Sequence, residues 1–251
     1  TQKVPVWLKF IAVDTPGHGS SPRTSSSVTR LIDGLHYLKE NPFPPRIISS
    51  VDEYFLGMSN YLEDEKAEDY RNIDGSIKRE NFIKQLQIRS PFHHSLTRDT
   101  CSITRLGASN KINVVPPVAW AEIDCRILPD RTAEEFINKI KYMMKPFDIK
   151  VETIMAFTSA SSTTESELYK AIKSTLKNLY PHSHIIPRVT TGFTDSHFTR
   201  DLGIQSYGFN PIIVPLKEFG RIHGNDERIN INAFKQGVKD HLAIIKSLVY
   251  D

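Results

Sequence analysis

The sequence predicts a mixed α and β protein in two parts: an antiparallel sheet covered by two helices, then a segment in which helices and strands alternate. In the first part, four stretches are typical of strands and two repeat apolar residues at helical spacing. A run of small polar residues at 159–163 separates the two parts. We therefore expect two domains, at residues 1–157 and 158–251.

The first predicted elements are a strand at 6–13 and a helix that follows it. Five apolar residues of this helix recur at helical spacing, namely Val28, Leu31, Ile32, Leu35 and Leu38. Three prolines between Asn41 and Pro45 then break the pattern, and the chain becomes polar and rich in charges. We interpret residues from about 45 to 98 as a helical insertion.

Two further strands are predicted after the insertion, at 100–106 and 118–128. In the second, one alternating set is apolar and should face the core, namely Ala119, Ala121, Ile123, Cys125 and Ile127. Thr132 and Glu135 have the spacing of a capping box and predict a helix start, and 149–157 predicts the last strand. The order strand, helix, strand, strand, helix, strand is that of a ferredoxin-like domain.

The second domain is predicted to begin with a capping box at Thr164 and Glu167. A short strand near Ile185, a helix at 194–201 and a strand at 205–209 should follow. A final helix is indicated by the stripe Ile231, Phe234, Val238, Leu242, Ile245 and Val249. Because so few strands make a thin domain, we expect its α/β sheet to be completed by strands outside this chain.

Composition excludes several classes of partner. The net charge of the 251 residues is only +3, with acids and bases interspersed, so neither nucleic acid nor a membrane is expected as a partner. We expect a soluble fragment or processed chain, because it starts close to a strand without Met and contains no spanning stretch; its compartment stays unknown. Cys101 and Cys125, in apolar strand-like runs, are expected to be free buried thiols.

Two of the nine histidines stand in glycine-flanked loops. His18 follows Gly17 before the first helix, so it belongs either to a functional loop or to a turn in which Ser20 or Ser21 caps that helix. His223, followed by acidic residues, could ligate a metal, or its loop could simply cap the last helix. Both pairs of alternatives stay open on spacing alone.

Two other arrangements are weaker candidates. His182 and His184 would share one face if extended, but no carboxylate or cysteine stands nearby to complete a metal site. Ser20, Asp195 and His223 supply the residue types of a catalytic triad, yet the Gly-x-Ser-x-Gly motif of a nucleophile elbow is missing. We expect neither a metal at the pair nor a serine nucleophile.

Five motifs in order resemble a known family. They are Pro16–Ser20, Asn110–Pro116, Asp124–Arg126, Thr194–Phe198 and His223–Glu227. From Val6 to Tyr250 the chain resembles the zinc exopeptidase and deacylase family that includes aminoacylase, succinyl-diaminopimelate desuccinylase, acetylornithine deacetylase, carnosinase and carboxypeptidase S. The resemblance implies a ferredoxin-like lid inserted in an α/β catalytic domain, with two lids pairing into a homodimer.

The resemblance also implies roles for particular residues. His18 and Asn113 would reach the active site of the partner subunit, where His18 stabilises the developing oxyanion as a catalytic residue. Arg126 would pair with the substrate carboxylate, which its planar guanidinium matches. Thr194 and His197 would also bind substrate, although many relatives have Arg where this chain has His197.

The implied activity is hydrolysis of an amide bond next to a free carboxylate, in a dipeptide or an N-acyl amino acid. Two zinc ions per active site would activate a water in the full-length enzyme, and His223 would ligate one of them. The family's other ligands and its glutamate pair have no equivalents here, so the chain alone is expected to be inactive. A non-catalytic dimerisation or binding protein derived from this fold is the alternative.

Overall fold

The structure, a computed structural model, describes residues 1–222 and 224–250. The side chains outside this description are those of Glu65, Leu216 and Phe219. Two compact units divide the chain, Thr1–Ser161 with Arg188–Phe193, and Ser162–Pro187 with Thr194–Asp251.

An antiparallel sheet forms the centre of the first unit. The strands of this unit are β1 (Val4–Val13), β2 (Gly17–His18), β3 (Thr100–Gly107), β4 (Val114–Val115), β5 (Val118–Ile127) and β6 (Lys150–Ala156). The principal helices beside them are α1 (Ser27–Glu40) and α7 (Ala133–Met144). Four strands pair in the order β3-β5-β1-β6, and β2 pairs with β4 in a ribbon. This order and the two helices confirm the ferredoxin-like prediction.

One face of the sheet forms the core with α1 and α7. The strand residues on that face are Val4, Val6, Leu8, Phe10 and Ala12 of β1 and Ala119, Ala121, Ile123, Cys125 and Ile127 of β5. The β5 set is the one that the alternation predicted. The helices contribute Leu31, Leu35, Leu38, Phe136, Ile140 and Met144. Ile32 belonged to the apolar stripe predicted for α1 but is not part of the core. It is 57% exposed, because it lies about 100° around the helix from Leu31.

The predicted insertion is helical. It consists of α2 (Ser49–Ser59), α3 (Asp64–Arg71), α4 (Ile73–Ser76), α5 (Glu80–Arg89) and α6 (Pro91–Leu96). These helices bury apolar side chains of their own, namely Val51, Phe55, Ala67, Ile73, Ile77, Leu86 and Leu96. The insertion therefore has a small core separate from that of the sheet.

A buried ionic cluster connects the insertion to the sheet. The Asp99 carboxylate is fully buried and accepts two hydrogen bonds from Arg46, at 2.9 and 3.0 Å. Arg131 lies 3.3 Å from the same carboxylate, and the backbone N–H of Leu128 donates to it. A buried charge is tolerated only with such partners, so loss of Arg46 would leave Asp99 poorly compensated.

The expected free thiols are absent. Cys101 on β3 and Cys125 on β5 are directly opposed, with Cα atoms 4.0 Å apart, and they form a disulfide. The free-thiol prediction was wrong, because composition and local apolarity do not reveal which strands pair or in what register. The disulfide joins the edge strand β3 to the interior of the sheet.

The second unit is built from helices. They are α8 (Glu167–Leu179), α9 (Ser196–Asp201), α10 (Leu216–Phe219) and α11 (Ile231–Tyr250). α8 packs against α11. The predicted capping box at Thr164 and Glu167 is wrong. Ser166, immediately before α8, caps this helix, because its hydroxyl accepts a hydrogen bond from the backbone N–H of Tyr169.

Both strands predicted for the second unit are wrong. The described residues near Ile185 and at 205–209 form no strand of this unit. At Ser206, side chains take the place of a strand partner: its N–H donates to Ser162 Oγ at 2.9 Å, and its carbonyl accepts from Arg200 at 2.7 Å. Such side-chain bonds satisfy backbone groups that a sheet would otherwise pair.

The apolar stripe predicted for α11 exists but is exposed. Its members are Ile231, Phe234, Val238, Leu242, Ile245 and Val249, each between 47 and 67% exposed. The buried positions are instead Gly237, Asp240 and Ile244. A continuous apolar face of this kind is typical of a surface that another element covers. Among the described helices, none is both long and apolar enough to cross a membrane.

Candidate functional site

The ribbon of β2 and β4 brings two predicted site residues together. His18 is opposite Val114, and the N–H of Gly19 donates to the carbonyl of Asn113 at 2.8 Å. A Cβ at Gly19 would lie 3.4 Å from that carbonyl, at ordinary van der Waals distance. His18 and Asn113 are thus neighbours across the tip of the ribbon.

The hydrogen bonds of His18 determine its tautomer. The backbone N–H of Ser20 donates to Nδ1 at 3.2 Å, and the Ser20 hydroxyl lies 2.8 Å from the same nitrogen. Because a backbone amide only donates, Nδ1 must accept, and a neutral ring then carries its proton on Nε2. Nε2 has no partner among the described residues, so the exposed ring presents a free N–H donor.

The capping alternative for this loop is wrong. α1 is capped by Ser26, whose hydroxyl accepts the N–H of Thr29, and the Thr29 side chain completes the capping box. Neither Ser20 nor Ser21 therefore caps the helix. The catalytic role of His18 itself stays a prediction.

Asn113 lies in the exposed turn that leads into β4. No hydrogen bond of its side-chain amide is found within the described ranges, so both its donor and its acceptor are available. The neighbouring Ile112 is fully exposed. The tip thus combines polar groups without partners and one apolar side chain, a composition typical of a surface that contacts a ligand or another chain.

Arg126 is held by its neighbour on β5. Its Nε and Nη2 donate to the two oxygens of Asp124, at 2.6 and 2.9 Å. The remaining nitrogen, Nη1, is buried and has no partner in the part of the chain that the structure describes. Arg126 therefore keeps donor capacity only at the buried Nη1, because Asp124 already occupies the forked Nε and Nη2 face of the guanidinium. Its role in binding the substrate carboxylate stays a prediction.

The ribbon tip and Arg126 lie at opposite ends of the sheet. Val118, where β5 begins beside the ribbon, and Arg126 are eight residues apart, which corresponds to about 26 Å along a strand. A dipeptide spans only about 7 Å. One small substrate therefore cannot contact His18 and Arg126 of the same chain.

The second unit holds the other predicted substrate residues. His197, at the start of α9, is buried, and its Nε2 lies 3.2 Å from the Asp201 carboxylate. The N–H of His197 donates to the Thr194 carbonyl at 3.1 Å. In this arrangement His197 stabilises its own helix, and the substrate role of both residues stays a prediction.

The predicted metal ligand His223 lies outside the described residues. Within residues 1–222 and 224–250, no group of three or more His, Cys, Asp or Glu side chains could hold a metal ion. His182 and His184 belong to no such group among these residues.

Two features of the site were missed by sequence reasoning. Ser20 fixes the orientation of His18, and its spacing of two residues from the histidine is a signal that could have revealed this bond. Asp124 holds Arg126. The two residues are two positions apart and therefore lie on one face of β5, a signal that could have revealed this pair.

The ferredoxin-like sheet with its projecting ribbon lies in the part of the chain that matches a family of peptidase dimerisation domains. The chain belongs to the M20 family of peptidase dimerisation domains, whose family model matches residues 1–152.

Curated relatives extend beyond this domain. The human N-fatty-acyl-amino acid synthase/hydrolase is 27% identical over 237 residues, which are 93% of this chain and 47% of that protein. The "Probable carboxypeptidase S-like 2" of Dictyostelium discoideum is 25% identical over 250 residues, 98% of this chain and 47% of that protein. The chain spans about half the length of the curated relatives it matches.

Solved structures share the fold. An M20 family metallo-carboxypeptidase from Sulfolobus solfataricus superposes with a TM-score of 0.63 at 16% identity, covering 98% of this chain and 59% of that one. Human carnosine dipeptidase 1 gives a TM-score of 0.56 at 11% identity, covering 98% and 55%. At these identities the likeness concerns the fold alone.

Proposed function

We propose that this chain supplies the dimerisation domain and a substrate-contacting loop of a metal-dependent amidohydrolase that cleaves an amide bond next to a free carboxylate. The observation that carries the proposal is the ribbon tip, where His18 presents a free Nε2–H beside Asn113. A donor held in one tautomer before substrate arrives is what stabilisation of a developing oxyanion requires.

Substrate binding is divided between two subunits in this proposal. Because about 26 Å of strand separates the ribbon tip from Arg126, His18 and Asn113 serve the active site of the partner, while Arg126 binds the substrate carboxylate in its own subunit. The scissile carbonyl and the carboxylate of one substrate are then held by different chains. A monomer would lack one of the two contacts.

The homodimer is proposed to form through β3. Because α1 packs on β1 and β5, the sheet edge on its side is β3. Ile103 and Leu106 of that strand are 43 and 61% exposed. An open edge with free backbone groups can pair with a second copy of itself about a two-fold axis.

Zinc is the proposed metal, with two ions per active site in the full-length protein and His223 as the ligand from this chain. Membership in a family of metallopeptidases supports this assignment. The names of the relatives support both candidate substrates: N-acyl amino acids for the human synthase/hydrolase and dipeptides for carnosine dipeptidase. The exposed face of α11 is proposed to pack on the rest of the catalytic domain.

The test is an assay of full-length protein and of the 251-residue chain with N-acyl amino acids and dipeptides, before and after chelation. We expect metal-dependent turnover by the full-length protein and none by the chain. Turnover by the chain would contradict its proposed dependence on ligands elsewhere. A full-length protein that binds zinc and hydrolyses neither substrate class would favour the non-catalytic alternative.

A further inference from the structure

A cleft of about 600 Å³ lies in the helical insertion between α3 and α5. Its apolar lining comes from Tyr70 on α3 and from Phe82 and Leu86 on α5. Leu86 is also part of the insertion's core and only 6% exposed, so packing fixes this wall. The volume is within the range of small-molecule pockets.

A hydrogen-bonded trio holds Tyr70 in place. The Tyr70 hydroxyl lies 2.7 Å from Nδ1 of His93, and the Tyr54 hydroxyl lies 3.0 Å from Nε2. Burial lowers the pKa of His93 and raises the pKa of Tyr70 to about 12, so the trio is neutral. A neutral imidazole donates to one tyrosine and accepts from the other, which fixes both rings. This side of the cleft is therefore formed before any ligand enters.

The rim of the cleft is cationic. It carries Lys66, Arg79 and Arg89 against the single carboxylate of Asp69, a net charge of +2. Asp69 is already paired with Arg79. Lys66 and Arg89 have no ion-pair partner within the described residues, so their charges are available to a ligand.

We propose that this cleft binds an anionic amphiphile, a carboxylate that carries an apolar tail. The head group pairs with Lys66 and Arg89 at the rim, and the tail covers Tyr70, Phe82 and Leu86. A neutral or cationic head would forgo the charge complementarity, and a small anion would leave the apolar wall uncovered. The site is separate from the ribbon tip and does not depend on the proposed hydrolase activity.

Calorimetric titration of the chain with hexanoate, octanoate and decanoate tests the proposal. Each methylene that enters the cleft should tighten binding by about fourfold. Decyl glucoside, which has the same tail and no charge, should bind at least about fivefold more weakly than decanoate. N-decanoylglycine is compared with decanoate to show whether the head group is a fatty acid or an N-acyl amino acid.

Charge-reversal variants locate the site. Lys66→Glu and Arg89→Glu should each weaken decanoate binding by about tenfold. Lys84→Glu, on the same helix as Arg89 but outside the cleft, is the matched control and should bind as the parent does, with circular dichroism checking the fold of each variant. His18→Ala should also leave binding unchanged, which separates this site from the proposed active site.

The proposal is overturned if decanoate does not bind, if decyl glucoside binds equally well, or if the two reversals in the cleft leave the affinity unchanged. An equal loss in Lys84→Glu would show a general charge effect and would overturn it as well.

Discussion

The backbone N–H of Ser20 donates to Nδ1 of His18 at 3.2 Å, which leaves the imidazole proton on Nε2, at the exposed side of the ring. This one bond gives the ribbon tip a donor of known direction. The loop does not cap the following helix, since Ser26 does that.

In the full-length protein, His18→Ala should lower kcat by about a hundredfold or more, because it removes a donor to the oxyanion, while zinc content stays unchanged. Ser20→Ala keeps the backbone donor and loses only the hydroxyl, so kcat should fall several-fold with KM unchanged. Turnover numbers and metal analysis of both variants provide the measurement. Loss of zinc from His18→Ala would contradict the assigned role.

A dimer that forms through β3 predicts different outcomes for substitutions at the two edges of the sheet. Leu106→Glu on β3 places a charge at the edge where the copies would pair, and it should convert the dimer to monomer. Ile154→Glu on β6, at the opposite edge and 50% exposed, is the control and should remain dimeric. Sedimentation velocity distinguishes these states. Dimers in both variants would place the interface elsewhere.

The disulfide closes a loop with a sequence separation of 24 residues. Replacing both Cys101 and Cys125 by Ser should lower the free energy of unfolding by about 3 kcal/mol, chiefly by freeing the unfolded chain. Urea unfolding with and without reductant measures this: reductant should destabilise the parent and leave the double variant unaffected. Cysteines of the untreated parent that react with an alkylating agent would show that the disulfide is absent.

Acid sensitivity should arise at His94. Burial, followed by the charges of Arg98 and Lys3, lowers the pKa of His94 to about 4 from 6.5. Its Nε2 is buried without a partner among the described residues. The unfolded chain therefore binds this proton at a higher pH than the folded one, so this contribution to stability is complete above pH 6.5 and decreases as the pH falls toward 4.

His94→Gln should remove that part of the pH dependence, on the order of 1 to 3 kcal/mol between the two limits. The exposed His182→Gln is the matched control and should follow the parent. Denaturant unfolding across this pH range gives the comparison. Parallel curves for His94→Gln and the parent would show that the residue does not titrate differently on folding.

Much of the first unit was predictable because its signals are local. The alternation from Ala119 to Ile127 and the capping box at Thr132 each depend on a few consecutive residues, and both are confirmed. The disulfide was not predictable in this way, since it depends on the register between β3 and β5. The buried Asp99 cluster likewise joins residues far apart in sequence.

The second unit shows the opposite case. Apolar residues near Ile185 and at 205–209 are typical of strands, but a strand requires a neighbour to pair with, and none of the described residues of this unit supplies one. Of the candidate site, the family resemblance predicted His18 and Asn113, and the ribbon makes these two residues neighbours. Spacing could have suggested the bond between Ser20 and His18, but it could not show that Nδ1 is the accepting nitrogen or that Arg126 lies far from the ribbon tip.

The division of each active site between two subunits is tested most directly by mixing two inactive variants of the full-length protein, His18→Ala and Arg126→Ala. In a mixed dimer, one active site receives both an intact Arg126 from its own subunit and an intact His18 from the partner, while the other receives neither. After random subunit exchange we expect about a quarter of the parent activity, since half of the dimers are mixed and each has one intact site. Activity no greater than that of the separate variants, with exchange verified, would contradict the cross-subunit role of His18.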